Sequence, residues 1–288
     1  MAMPDGWRKR DHEVVDGNTR DGNSGTRVTA ESRDGNGRDT MTNRFSNQIT
    51  GYLLVGVAIL GLVPSLRANV PGGKASQNAS GGNQNNPGVL PPRSSFHGNT
   101  YSQWSENWWL WAFSLPVDQN PITTNGAAPC SNGQTDHVWF LVGVGGPTTI
   151  HCTVPPGTAL FFPIVNTECS SLESFPFHGG TPEERSACAK SFIDAVTDLA
   201  VIIDGKAIHN LTAYRVQSGD FDFTVPADNI LTGGGPDSGQ SSADGYYLLL
   251  APLSAGTHTI RIVGATNGPF PPLTAFSIDT TYVLTVGR

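Results

Sequence analysis

Glu168 and Glu173 stand five residues apart in Glu168-Cys-Ser-Ser-Leu-Glu173, directly after a strongly apolar stretch. Glu168 paired with Glu173 or with Asp136 would be an acid/base couple of the kind that hydrolyses glycosides. No spacing along the chain fixes the separation of these carboxyls, so hydrolysis enters as an alternative. Asp220 and Asp222 alternate with Phe221 and Phe223, which predicts a strand whose acidic face meets water. Their other use would be as oxygen ligands of a weak calcium site. The histidines, among them His137, His151, His178, His209 and His258, show no metal-binding spacing. There is no G-x-S-x-G elbow, phosphate loop or dinucleotide fingerprint, so neither a cofactor nor a resident metal is expected.

The most unusual composition lies in Tyr101-Ser-Gln-Trp-Ser-Glu-Asn-Trp-Trp-Leu-Trp-Ala-Phe113, which holds four of the six tryptophans. On a helix, Tyr101, Trp104, Trp108, Trp111 and Leu115 form one stripe suited to docking against a sheet. Trp109 and Phe113 point elsewhere, so the set exceeds what one buried stripe needs. Exposed rings of Trp104, Trp108, Trp109 and Trp111 would stack on sugar rings, and exposed aromatic patches mark binding surfaces.

Two helices and a series of strands must position these residues. Thr100-Tyr-Ser-Gln103 is a capping box, and Pro116 stops the helix it opens. Thr181-Pro-Glu-Glu184 opens a second helix, in which Cys188, Phe192, Val196 and Leu199 follow the helical period. Strands are expected at Val138–Val142, Thr148–Val154, the stretch from Ala159, Phe221–Val225, Tyr246–Leu250, the stretch from Gly256, and Phe276–Val286. Asp204-Gly205 marks a hairpin. This set predicts a mainly β, antiparallel sandwich of the jelly-roll or immunoglobulin type, with an N-terminal tryptophan-rich helix and one further helix.

The ends and the charge bound the compartment. Residues 1–40 carry too little apolar surface to order themselves and read as a disordered extension preceding the true start at Met41. Tyr52–Val63 is too short to span a bilayer but fits the core of a signal peptide over 41–68. Residues 69–99 read as a Gly/Asn/Pro linker, and 100–288 as the folded domain. From Asn69 onward there are 8 Lys and Arg against 16 Asp and Glu, which argues against nucleic acid or an anionic membrane as partner. All four cysteines fall after the apolar run. An even count outside the cytoplasm reads as two disulfides, with neighbour pairing of Cys130 with Cys152 and Cys169 with Cys188 preferred among three connectivities.

The tryptophan helix with Ser114-Leu-Pro116 resembles a pattern in uncharacterised exported bacterial proteins. So do Leu160-Phe-Phe-Pro-Ile-Val-Asn166 and Ala243-Asp-Gly-Tyr-Tyr-Leu-Leu-Leu-Ala-Pro-Leu-Ser-Ala-Gly-Thr-His-Thr-Ile260. The resemblance covers Tyr101 to Val286 and implies export and a shared β fold; it transfers no activity. The leading expectation is a non-catalytic binding protein at or beyond the cell surface, secreted or periplasmic, with carbohydrate as the candidate ligand. The alternatives are a secreted hydrolase working near Glu168 and a structural envelope protein.

Overall fold

A computed structural model describes residues 86, 88–134, 137–232 and 234–287. The expected extension and signal peptide, most of the linker, and Asp136 lie outside these residues. The chain joins the core before Thr100, where order was expected to begin. Val89 bridges Leu250, and Asn86 bonds both the N–H and the carbonyl of His209 through its side chain. A short hairpin of β1 (Ser95–Phe96) and β2 (Asn99–Thr100) then leads into the first helix.

Helix α1 (Tyr101–Ser114) starts at the expected capping box: Thr100 Oγ1 accepts from the Gln103 N–H, and the Gln103 side chain accepts from the Thr100 N–H. Helix α2 (Pro182–Asp194) opens on the same device, with Thr181 and Glu184 as the reciprocal pair. It ends earlier than its apolar period suggested. Val196 and Leu199 belong instead to a strand, where their β-branched and leucine neighbours pair with a partner.

The remaining strands are β3 (Val138–Phe140), β4 (Thr148–Val154), β5 (Ala159–Ser170), β6 (Val196–Ile203), β7 (Lys206–Ala207), β8 (Arg215–Gln217), β9 (Phe221–Val225), β10 (Asp237–Leu250), β11 (Gly256–Thr266) and β12 (Phe276–Val286). Sheet I runs β3-β5-β10, with β8 and β9 sharing the outer edge of β10. Sheet II runs β4-β12-β11-β6-β7. Pairing is antiparallel except for β3 with β5 and β4 with β12. Among the described residues the fold is therefore mainly β and sandwich-like, with two α-helices.

The sheets meet through side chains that also stitch them. Tyr282 Oη of β12 donates to the Val142 carbonyl and accepts the Val142 N–H, and Thr280 Oγ1 serves Val144 in the same way. A β-bulge at Ile164 resets the alternation of β5. Beyond it, Asn166, Glu168 and Ser170 share one face with Tyr247, Ala243, Ser241 and Gly239 of β10. That face lies under α1. The opposite face carries Val165 against β11 and Cys169, which is bonded to Cys188 of α2. Sheet I is thus covered twice, by α1 on one side and by sheet II with α2 on the other, and the residues of β5 are buried almost throughout.

Candidate functional site

Helix α1 does not present its tryptophans to solvent. Trp104, Trp108 and Trp111 are buried, and their indole N–H groups donate to the carbonyls of Phe96, Leu141 and Asn132. Tyr101 Oη donates to the Leu90 carbonyl and accepts the Leu249 N–H. The stripe docks the helix on sheet I, as its spacing suggested. The stacking role expected of Trp104, Trp108 and Trp111 fails because no exposed ring face is left to do it. Trp109 is half-buried and also packed, edge-on to Trp108 and 5.4 Å from Phe113 between ring centroids.

Beneath α1 the two glutamates of interest do come together. Glu168 extends from β5 and is 4% exposed, while Glu173 folds back from the turn that follows. Their carboxyls lie close enough for the Glu168 charge to oppose ionisation of Glu173. The outer oxygens are capped by hydroxyls. Ser241 Oγ donates to Glu168 Oε2 at 2.6 Å, and Ser170 Oγ donates to Glu173 Oε2 at 3.0 Å. Burial pushes the Glu168 carboxyl above its ordinary value. It pushes Glu173 well above, and the adjacent Glu168 charge adds to that rise.

A cluster of polar ends adjoins the pair. Tyr247 Oη, Trp109 Nε1 and Asn166 Nδ2 are all buried, and Asn166 and Trp109 are the polar neighbours that act on the Tyr247 hydroxyl. None of the three reaches good hydrogen-bond geometry. Burial holds the Tyr247 hydroxyl above its usual range.

At the outer edge of sheet I, where β9 pairs with β10, lies an open groove of about 540 Å³. Leu110 of α1 and Phe223 of β9 form its apolar part, and Ser171, Asp222, Thr224, Ser238 and Gln240 its polar part. Gly239 forms floor between them. A Cβ there would lie 2.9 Å from Ser171 Oγ and 2.7 Å from Leu172, so glycine keeps the strands and the turn in close approach. The groove is one pleat repeat, about 7 Å, outward from Ser241 and the glutamate pair.

The acidic strand face divides. Asp222 is exposed in the groove, as expected, but Asp220 is not simply solvated. Arg185 of α2, 1% exposed in its side chain, donates from Nε and Nη2 to both Asp220 oxygens at 2.8 and 2.7 Å. Ser242 Oγ donates to Asp220 as well. The Arg185 and Ser242 bonds outweigh partial burial and hold the Asp220 carboxyl below its usual range. Among the described residues no cluster of three acids, histidines or cysteines is arranged to hold a metal ion, so the calcium reading has no site there. Both expected disulfides, Cys130–Cys152 and Cys169–Cys188, are formed.

The serines that cap the glutamates, and Gln240 and Gly239 of the groove, were missed from sequence. Their signal lies in β10, whose polar half from Asp237 to Ser242 shows no apolar alternation and reads as loop. The 12-residue length of β5, which needs a partner of similar reach, was the clue.

No family model matches the chain, and no curated protein does. Two solved structures are similar over about half of it. "Solution Structure of Amebosin" aligns at 13% identity, covering 53% of this chain and 99% of that one, with a TM-score of 0.17. "Structure of PbICP-C in complex with falcipain-2" aligns at 17% identity, covering 52% and 99%, with a TM-score of 0.18. Likeness at that level says nothing of this chain's fold or function.

Proposed function

We propose that the protein acts outside the cytoplasm as a non-catalytic binding module that takes a hydroxyl-rich ligand, of the carbohydrate class, in the groove beside α1. The observation that supports this reading is the lining. Leu110 and Phe223 give the groove apolar surface, and exposed Asp222, Thr224, Ser238 and Gln240 border it from the other face of the same edge, a mixture of apolar and hydroxyl-binding groups at one opening. Export is supported by the apolar run Tyr52–Val63, by the two disulfides, and by the placement of every cysteine after that run. No helix among the described residues is long and apolar enough to cross a membrane.

The glutamate pair supports hydrolysis less well. Glycosidase carboxyls flank a scissile bond in an open cleft, whereas Glu168 is almost wholly buried, with Ser241 Oγ donating to its carboxyl. A glycan array probed with the full chain tests the binding reading. Asp222→Ala should weaken any binding found by about tenfold, roughly 1.4 kcal/mol, and leave the unfolding midpoint unchanged. Absence of binding to every glycan, or binding indifferent to Asp222→Ala, would sink it.

A further inference from the structure

We infer that Phe175, Phe270 and Leu273 form a membrane-docking tip, in which two turns set apolar side chains into the surface of a bilayer with zwitterionic headgroups. Among the described residues, the exposed large apolar side chains are these three and Ile202. Phe175 is 69% exposed, Leu273 57% and Phe270 44%. They come from turns far apart in the chain, yet the rings of Phe175 and Phe270 lie 4.9 Å apart between centroids, and Leu273 belongs to the same turn as Phe270. Single exposed apolar residues are ordinary, whereas a gathered patch marks an interaction surface.

Both turns are fixed by groups behind the tip. Between β11 and β12, the buried Thr274 hydroxyl donates to the Asn267 carbonyl and accepts the Phe270 N–H, and the Thr274 N–H returns to the Phe270 carbonyl. Gly268 has φ +60°, and a Cβ there would run into Thr274, so the loop closes tightly on that residue. The Asn267 N–H ties the loop to the Ala195 carbonyl at the end of α2. Between β5 and α2, the Phe177 ring stacks on Phe192 of α2 at 4.7 Å, and the Gly179 N–H bonds the Ser170 carbonyl. Phe175 and Phe270 are thus presented by backbone that is set before any partner arrives, which lowers the entropy cost of docking.

Charge and size select the partner. Neither Asn267-Gly-Pro-Phe-Pro-Pro-Leu-Thr-Ala-Phe276 nor Ser174-Phe-Pro-Phe177 contains a charged residue. Glu173, beside the second segment, accepts from the Ser170 hydroxyl through its carboxylate, and the His178 ring bonds the Glu173 carbonyl. No charge in either segment need be dehydrated on entering an apolar layer, and neither offers a cation to anionic headgroups. Three side chains fall well short of the roughly 800 Å² per partner that a stable protein interface, a second copy included, would need. Entry between headgroups and acyl chains needs only a small apolar area and gives weak, reversible attachment. This goes beyond the reading of the groove and does not rest on it.

The Tyr52–Val63 run is itself apolar, so the readout is placed at the tip of the full chain. Phe270→Trp is mixed with phosphatidylcholine vesicles whose acyl chains carry bromine. Its fluorescence beyond the wild-type signal should shift to the blue and be quenched, equally at low and high salt, because apolar area rather than charge drives entry. Ile202→Trp, outside both turns, should show neither change. Adding Phe175→Ser and Leu273→Ser to Phe270→Trp should raise the lipid needed for half-quenching by about tenfold and keep the urea midpoint, since both side chains already stand in water. If the combined variant fails to fold, the comparison of Phe270→Trp with Ile202→Trp decides. An unquenched Phe270→Trp, equal quenching of Ile202→Trp, or quenching confined to phosphatidylserine vesicles and lost in salt would overturn the tip. So would a wild-type dimer in equilibrium sedimentation that Phe175→Ser with Leu273→Ser dissolves, which would give the patch to a second copy.

Discussion

Arg185 is the clearest case of one residue organising several elements. It projects from the first turn of α2, donates to both oxygens of Asp220, and adds bonds to the Gly179 carbonyl and the Gln240 side chain. Its guanidinium fork suits this geometry in a way a lysine would not. Removing one partner of a fully buried pair costs about 3–5 kcal/mol, but the Asp220 side chain is 25% exposed and can rehydrate. Arg185→Met should therefore cost about 2 kcal/mol, read from the urea midpoint. The double variant with Asp220→Asn should recover part of it, since no charge is then left behind. A single variant as stable as the wild type would mean that the pair contributes nothing net.

Among the elements, β5 and β11 make the tightest approach between the sheets. Gly264 of β11 sits over the bulge of β5, where an added Cβ would run into Val165 and lie 2.9 Å from the Ile164 carbonyl. Both obstacles belong to a buried strand that cannot retreat, because α1 covers its far side. Gly264→Ala should destabilise by about 1–3 kcal/mol through overpacking, measured by the same unfolding experiment; a neutral result would show that the sheets can separate there at little cost. Helix α1 is the complementary element, since its buried stripe and bonded indole groups leave it little freedom to move.

Across the whole molecule, the two disulfides join parts that the sheets do not. Cys130–Cys152 fastens the segment after α1 to β4 of sheet II, and Cys169–Cys188 fastens β5 of sheet I to α2. They close loops with sequence separations of 22 and 19, each worth about 3 kcal/mol in the chain-entropy model. Urea unfolding with and without reductant should show a marked fall in midpoint, and each Cys→Ala pair alone about half of it. An unchanged midpoint would show that the core alone sets stability.

Local chemistry made much of this legible in the chain itself. Both capping boxes, the Asp204-Gly205 hairpin with positive φ at both residues, and the strands β4, β9 and β12 follow from short-range rules whose cause lies within a few residues. The buried stripe of α1 was likewise readable from spacing, whereas the cysteine count left three connectivities open, of which the preferred neighbour pairing is the one formed. What the tertiary structure decided is what depends on distant partners. The polar half of β10 becomes a strand because β5 and β9 offer it ladders, and Arg185 takes Asp220 out of plain solvent across 35 residues. Ser241 reaches Glu168 across 73. The glutamate pair was named from sequence, but whether its carboxyls would flank an open cleft or lie buried beneath a helix depended on the bulge in β5 and the fold-back of the turn, and no periodicity encodes either.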